Sequence, residues 1–269
     1  MGMHPYFDIP RPVVIGHRGA AGERPENTLL SFEKALEDGA QILESDIQVT
    51  RDGVPILLHD PDVDRTTEGR GAVSELDLQG VRRLDAGHAF EDASGHHPYR
   101  GQSIHIPSLE EAFERFPEAR FNLEIKSADP RATSRTLDLV ARFGRPDRTL
   151  LTAGETPIMK QLRRALAQHA AQPAVGASQD EIVAAVRSAL SDAPMPAGVM
   201  ALQIPAHFLD QPLVTPELVL HAHAHGVEIH VWTINDLDEI EALLDLGVDG
   251  IVTDHPGRMV DWLARAGRR

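Results

Sequence analysis

Strand-like apolar runs alternate with helix-like amphipathic runs along almost the whole chain, and this alternation limits what it can fold into more than anything else. Strands are expected to start near 13, 42, 121, 149, 174, 199, 227 and 250. Each is followed by a segment with helical spacing. The first is TLLSFEKALEDG, where Leu29, Phe32, Ala35 and Leu36 repeat at helical intervals, Asn27 or Thr28 can cap, and Gly39 closes. The second unit's helix is LEEAFERF, with Ser108 as its cap and Glu111 at the capping-box position, and later helices are expected near 131–143, 156–169, 179–190, 215–225, 236–246 and 256–265. Strand–helix alternation implies a parallel sheet. Eight such units in 269 residues imply an α/β fold of the TIM (β/α)8 barrel type, spanning 1–269 as a single domain. One run, PILLH, is extra and reads as an elaboration of the second unit. From about 60 to 106 the pattern breaks into a stretch rich in Asp, Gly, His and Ser, which reads as a small insertion after the second strand.

In such a barrel, side chains that do chemistry gather at the C-terminal ends of the strands. His17 follows VVIG, and His59 ends PILLH. Between them, Glu44 and Asp46 stand at i and i+2 in ILESDIQV, which puts both on one strand face with Ile42. Burying them there is costly unless they are paired or bind a cation; a solvent-facing polar strand face is the bland alternative. The strand FNLEIK repeats the arrangement with Asn122, Glu124 and Lys126 on one face. Three carboxylates without cysteine form a hard-oxygen set that suits Mg²⁺ or Ca²⁺ better than Zn²⁺. Two histidines near neutral pKa suit general acid–base work, and Arg18 and Lys126 supply fixed positive charge for a phosphate. Together these point to metal-assisted phosphodiester cleavage.

Here composition narrows the classes. The formal charge is −15 with no basic stripe, which argues against nucleic acid as a partner. The absence of cysteine removes disulfides and thiolate chemistry. No run of about 18 apolar residues and no leader-like N-terminus is present, so the expected compartment is the cytoplasm, without stable membrane insertion.

The chain resembles the glycerophosphodiester phosphodiesterase family. The segments that carry the resemblance are His17-Arg18-Gly19, Pro25-Glu26-Asn27-Thr28, Glu44-Ser45-Asp46, Thr50-Arg51-Asp52-Gly53, His59-Asp60, Asp64-Arg65-Thr66-Thr67, Leu84-Asp85-Ala86-Gly87, Ile106-Pro107-Ser108-Leu109, Leu123-Glu124-Ile125-Lys126, Val231-Trp232-Thr233-Ile234-Asn235 and the run from Gly247 to Asp254. The resemblance implies one divalent cation on Glu44, Asp46 and Glu124, His17 and His59 as the acid–base pair, and Arg18 and Lys126 on the phosphate. It implies hydrolysis of small glycerophosphodiesters to sn-glycerol 3-phosphate and an alcohol, with His59 the usual acid on the leaving group. Two other activities stay open: a lysophospholipase D-like phosphodiesterase, and a phosphate-ligand-binding barrel without catalysis.

Other residues have competing readings. Trp232 suits either barrel core or a substrate wall, and Glu26 suits either orienting His17 or approaching a metal. Asn235 and Asp254 read as loop and cap residues, and Asp64-Arg65 as a local pair. His221, His223 and His225 read as a solvated helix face rather than a second metal site. Ser45, where relatives often carry an apolar or acidic residue, is expected to face away with little effect. The insertion's His88, His96, His97 and His105 leave the alcohol side open.

Overall fold

The computed structural model describes residues 4–191 and 193–268. The chain runs β1 (Val13–Gly16), α1 (Leu29–Glu37), β2 (Ile42–Val49), β3 (Pro55–Leu57), α2 (Leu78–Arg82), α3 (Leu109–Arg115), β4 (Arg120–Ile125) and α4 (Pro130–Arg142). It continues through β5 (Thr149–Thr152), α5 (Thr156–Leu166), β6 (Ala174–Val175), α6 (Gln179–Ser191), β7 (Ala201–Pro205), β8 (His207–Phe208) and β9 (Gln211–Pro212). It ends with α7 (Pro216–Ala224), β10 (Glu228–Trp232), α8 (Leu237–Asp245), β11 (Gly250–Thr253) and α9 (Pro256–Arg265).

Eight strands pair in parallel in the order β6-β5-β4-β2-β1-β11-β10-β7. The two ends meet where Met200 N–H donates to Val175 O at 2.9 Å, leaving a nearly closed barrel. PILLH yields β3, which turns back antiparallel on β2 (Ile47↔Leu57) and so adds no barrel unit. The short antiparallel hairpin β8–β9 has no sequence counterpart among the expected elements. Its strands are two residues each, too short for any period to show.

Helix ends follow local chemistry. Thr28, rather than Asn27, caps α1 through Ser31 N–H, and Gly39 takes the left-handed turn just beyond it at φ +88°. Ser108 and Glu111 close a reciprocal capping box on α3.

Period two along each strand sorts residues into two layers. Leu43, Ile47, Phe121, Leu123 and Leu151 point outward and pack with Phe32, Phe113 and Leu162 of the helices. Ile15, Ile42, Leu150 and Val252 point inward, and Tyr6 and Phe7 from an N-terminal 3-10 turn pack against them. That apolar cluster fills the N-terminal end of the barrel and leaves the inward polar residues of β2 and β4 at the other end. Beside that end the chain branches off after β3 into the insertion, where Val63, Val73, Val81, Ala86 and Ile106 form a small cluster with Ile56 and Leu58. No helix among the described residues is long and apolar enough to cross a membrane.

Candidate active site

Parallel register sets the floor. Glu44 lies beside Asn122, and Asp46 beside Glu124. A cavity of about 330 Å³ opens above them, lined by His17, Arg18, Glu44, Asp46, His59, Glu124, Lys126 and Trp232. All eight residues expected at a site thus meet in one place. Asp46 is buried, so the solvent-facing reading of this strand face does not hold. Ala177, Ile182 and Trp232 give the cavity an apolar side. Trp232 is 44% exposed, at the end of β10, and belongs to the wall rather than the barrel core.

His17 Nδ1 lies 2.7 Å from Asp254 Oδ1. Asn235 Nδ2 donates to Asp254 Oδ2 at 2.6 Å, and Asn235 Oδ1 accepts from Thr253 Oγ1 and Asp254 N–H, both at 2.9 Å. An ionised Asp254 puts the proton on Nδ1 and leaves Nε2 free. Burial lowers the proton affinity of His17, but the Asp254 hydrogen bond and the Glu44 charge outweigh it, so its pKa is raised. For Asp254, burial is likewise overridden by His17 and Asn235, and its pKa is lowered.

His59 is held the same way, with Nδ1 2.7 Å from Asp60 Oδ1. The second oxygen of Asp60 accepts from Arg65 Nε at 2.5 Å. Arg65 then forks onto Glu26 at 2.7 and 2.8 Å, and Arg18 Nη1 reaches the same carboxylate at 2.8 Å. Burial would raise Asp60 and Glu26, but these partners hold both carboxyls below their usual values.

The floor combines three carboxylates and two cations. Arg18 N–H donates to Glu44 Oε2 at 2.9 Å, while the Arg18 side chain approaches Asp46 at 3.3 Å. Lys126 Nζ stands 2.8 Å from Glu124 and 3.5 Å from Asp46, and those charges outweigh burial to raise its pKa. Gly154 N–H donates to Glu124 Oε1 at 3.1 Å. Burial, and then the neighbouring Asp46 carboxylate, raise the pKa of Glu44. As donors, three carboxylates are the hard-oxygen class that a divalent cation takes. Among the described residues, however, no three acidic or imidazole side chains close round one point, and Lys126 Nζ stands between Asp46 and Glu124.

Several residues take other places than their sequence suggested. Asp254 and Asn235 lie in loops as expected, but neither is the cap of the helix that follows; Asp254 holds His17, and Asn235 holds Asp254. Arg65 does not pair with Asp64, which instead takes Arg70 at 3.2 Å and the Gly71 N–H at 2.7 Å. Glu26 touches the two arginines rather than His17. Ser45 faces away from the cavity as expected, yet its Oγ donates to Asn27 Oδ1 at 2.6 Å, and Asn27 Nδ2 donates to Asp46 at 3.2 Å. The available signal was position: Asp254 and Asn235 both follow strand ends. His88, His96, His97 and His105 do not line the cavity. His221, His223 and His225 bond separately to Ser188, Asp249 and the His221 carbonyl.

A model of the glycerophosphoryl diester phosphodiesterase family matches residues 17–258. The chain is similar to the glycerophosphodiester phosphodiesterase of Caldanaerobacter subterraneus subsp. tengcongensis, at 30% identity over 265 residues, with 96% of this chain and 100% of that one covered. It is also similar to the probable glycerophosphodiester phosphodiesterase 2 of Mycobacterium tuberculosis, at 31% identity over 258 residues, with 95% of this chain and 92% of that one covered. Among solved structures it resembles the glycerophosphoryl diester phosphodiesterase domain of another M. tuberculosis protein, with a TM-score of 0.82 at 21% identity, covering 94% of this chain and 99% of that one. That structure has the same TIM-barrel fold.

Proposed function

The chain belongs to the glycerophosphoryl diester phosphodiesterase family, and from that premise we propose that its cavity hydrolyses glycerophosphodiesters to sn-glycerol 3-phosphate and an alcohol by two-histidine acid–base catalysis. The observation that carries the reading is the pair of histidines lining one cavity, each with Nδ1 on a carboxylate and Nε2 left for the substrate. One imidazole takes the proton of the glycerol 2-hydroxyl as that oxygen attacks phosphorus. The other gives its proton to the alcohol oxygen as the P–O bond breaks. Water then opens the cyclic phosphate with the two roles exchanged, which restores both histidines. Arg18 and Lys126 neutralise phosphoryl oxygens, and Trp232 walls the apolar side of the cavity.

Glu44, Asp46 and Glu124 would hold one divalent cation, Mg²⁺ or Ca²⁺, which when bound supplies Lewis-acid neutralisation of phosphoryl charge.

The test is release of glycerol 3-phosphate from glycerophosphocholine and glycerophosphoethanolamine, with Mg²⁺, Ca²⁺ or EDTA, for the wild type and His17→Ala. Turnover should need a divalent ion and fall about 10²- to 10⁴-fold in the variant. Full activity in EDTA would remove the metal, and full activity of His17→Ala would remove the histidine mechanism. Release of choline from lysophosphatidylcholine but not from glycerophosphocholine would move the substrate class to lysophospholipids.

A further inference from the structure

Arg65 is a loop arginine with nearly half of its side chain exposed, yet it spends both edges of its guanidinium on fixed partners. Nε holds Asp60 Oδ2, and the two terminal nitrogens fork onto the two oxygens of Glu26. A single exposed ion pair contributes little, but a planar fork shared between two carboxylates sets geometry as well as charge. Its hydrogen bonds to Glu26, ahead of the opposing cost of burial, raise its own pKa further still.

The contacts on either side run on into the cavity. Asp60 gives its other oxygen to His59 Nδ1, and Glu26 gives its other contact to Arg18, which approaches Asp46. Six side chains therefore form one unbroken chain: Asp46, Arg18, Glu26, Arg65, Asp60, His59. It joins a cation that faces the phosphate to the imidazole that exchanges a proton. Asp60 directly follows His59 and divides its carboxylate between two partners, Oδ2 to Arg65 and Oδ1 to the ring.

We propose that Arg65 is a positioning residue for His59, acting through Asp60, and that Glu26 locks it to Arg18 so that phosphate binding and imidazole orientation are set by one network. The proposal rests on the reading of His59 as an acid–base group. Loss of Arg65 frees Asp60 and lets the His59 ring leave its productive orientation. Misplacements of this kind act on kcat. Arg18 keeps its own partners, so KM changes little. Loss of the Glu26 charge releases both arginines and moves kcat and KM together.

The experiment is a double-mutant cycle on the full chain with glycerophosphocholine and a divalent ion: wild type, Arg65→Ala, His59→Ala and the double variant. Thermal melts confirm that each is folded, and Arg65→Lys serves as a second variant that keeps the charge but not the fork. Arg65→Ala is expected to lose about 10- to 100-fold in kcat with KM within about threefold. It should lose nothing further once His59 is gone. Added guanidinium ion should restore part of the kcat of Arg65→Ala, and methylammonium should not. An equal fold loss in both backgrounds overturns the proposal, as does a rise in KM without a fall in kcat, or full activity of Arg65→Lys. A fully active His59→Ala is a different failure: it removes the two-histidine reading itself, and Arg65 then has nothing to position.

Discussion

His17 and His59 face one cavity and each has Nδ1 at 2.7 Å from an aspartate, but the two dyads are built from different lengths of chain. His59 takes its partner from the next residue. His17 takes Asp254 from 237 positions away, because β11 lies beside β1 in the barrel. Their backing differs too. Asp254 is held by the neutral amide of Asn235, itself anchored by the Asp254 backbone N–H. Asp60 is held by cationic Arg65, which leans on Glu26. The His17 side chain is 20% exposed and that of His59 34%. A barrel can thus orient one imidazole with its own closure, while the other needs an ionic strut from a loop.

The largest expected effect tests that difference directly. Removing the Asp254 carboxylate leaves the more enclosed His17 with no ready Nδ1 partner, whereas water can reach His59 and replace Asp60. Asp254→Ala should lower kcat about 10²- to 10⁴-fold, and Asp60→Ala about 10- to 100-fold, in steady-state assays with saturating divalent ion. Equal losses would break the comparison and show that enclosure does not matter.

A smaller effect appears in stability. The folded-state pKa of His17 is raised above its ordinary value near 6.5, so His17 binds more protons folded than unfolded. Its contribution is fully present below about pH 6.5 and is lost as pH rises through the raised value. Asp254 is shifted the opposite way, so its contribution holds above its unfolded value near 3.8 and is lost as pH falls below that. The dyad therefore stabilises most between about pH 4 and 6.5. Glu44, raised by burial and by Asp46, gives a slope of the same sign as His17 and is present in wild type and variant alike, so the measure is the difference between them. Without added divalent ion, the wild-type melting temperature should fall by on the order of 2 °C more than that of Asp254→Asn between pH 6 and 8. Parallel curves would mean that Asp254 orients His17 without favouring its charge.

The same contrast explains what could be read from the chain. Period two placed Glu44 with Asp46, and Glu124 with Lys126, on inward faces, and the strand-end rule brought His17 and His59 to them. Those inferences need only local geometry. Asp254 and Asn235 carry polar side chains at strand ends as well, but their role depends on β11 closing against β1, which no local pattern records. Arg65 misled because its nearest carboxylate in sequence, Asp64, turns to Arg70 and Gly71 instead. The Tyr6–Phe7 plug and the β8–β9 hairpin are too short for a period to show.

Ser45 gives the smallest and sharpest test, since it supports the floor between the two dyads with neutral hydrogen bonds alone. Its Oγ donates to Asn27 Oδ1, and Asn27, itself buried and at φ +56°, donates to Asp46. Ser45→Ala leaves the Asn27 oxygen buried without that donor, which costs about 1–3 kcal/mol. At roughly 2–4 °C per kcal/mol for a domain of this size, calorimetry should record a drop of a few degrees. Asp46 keeps Arg18 and Lys126, so kcat should stay within about twofold, as expected where charged partners fix the carboxylate and neutral ones only fill the space behind it. A loss above about tenfold would show instead that Asn27 aims Asp46. The floor would then depend on neutral backing as His17 does, and the ionic strut behind His59 would be the exception in this site.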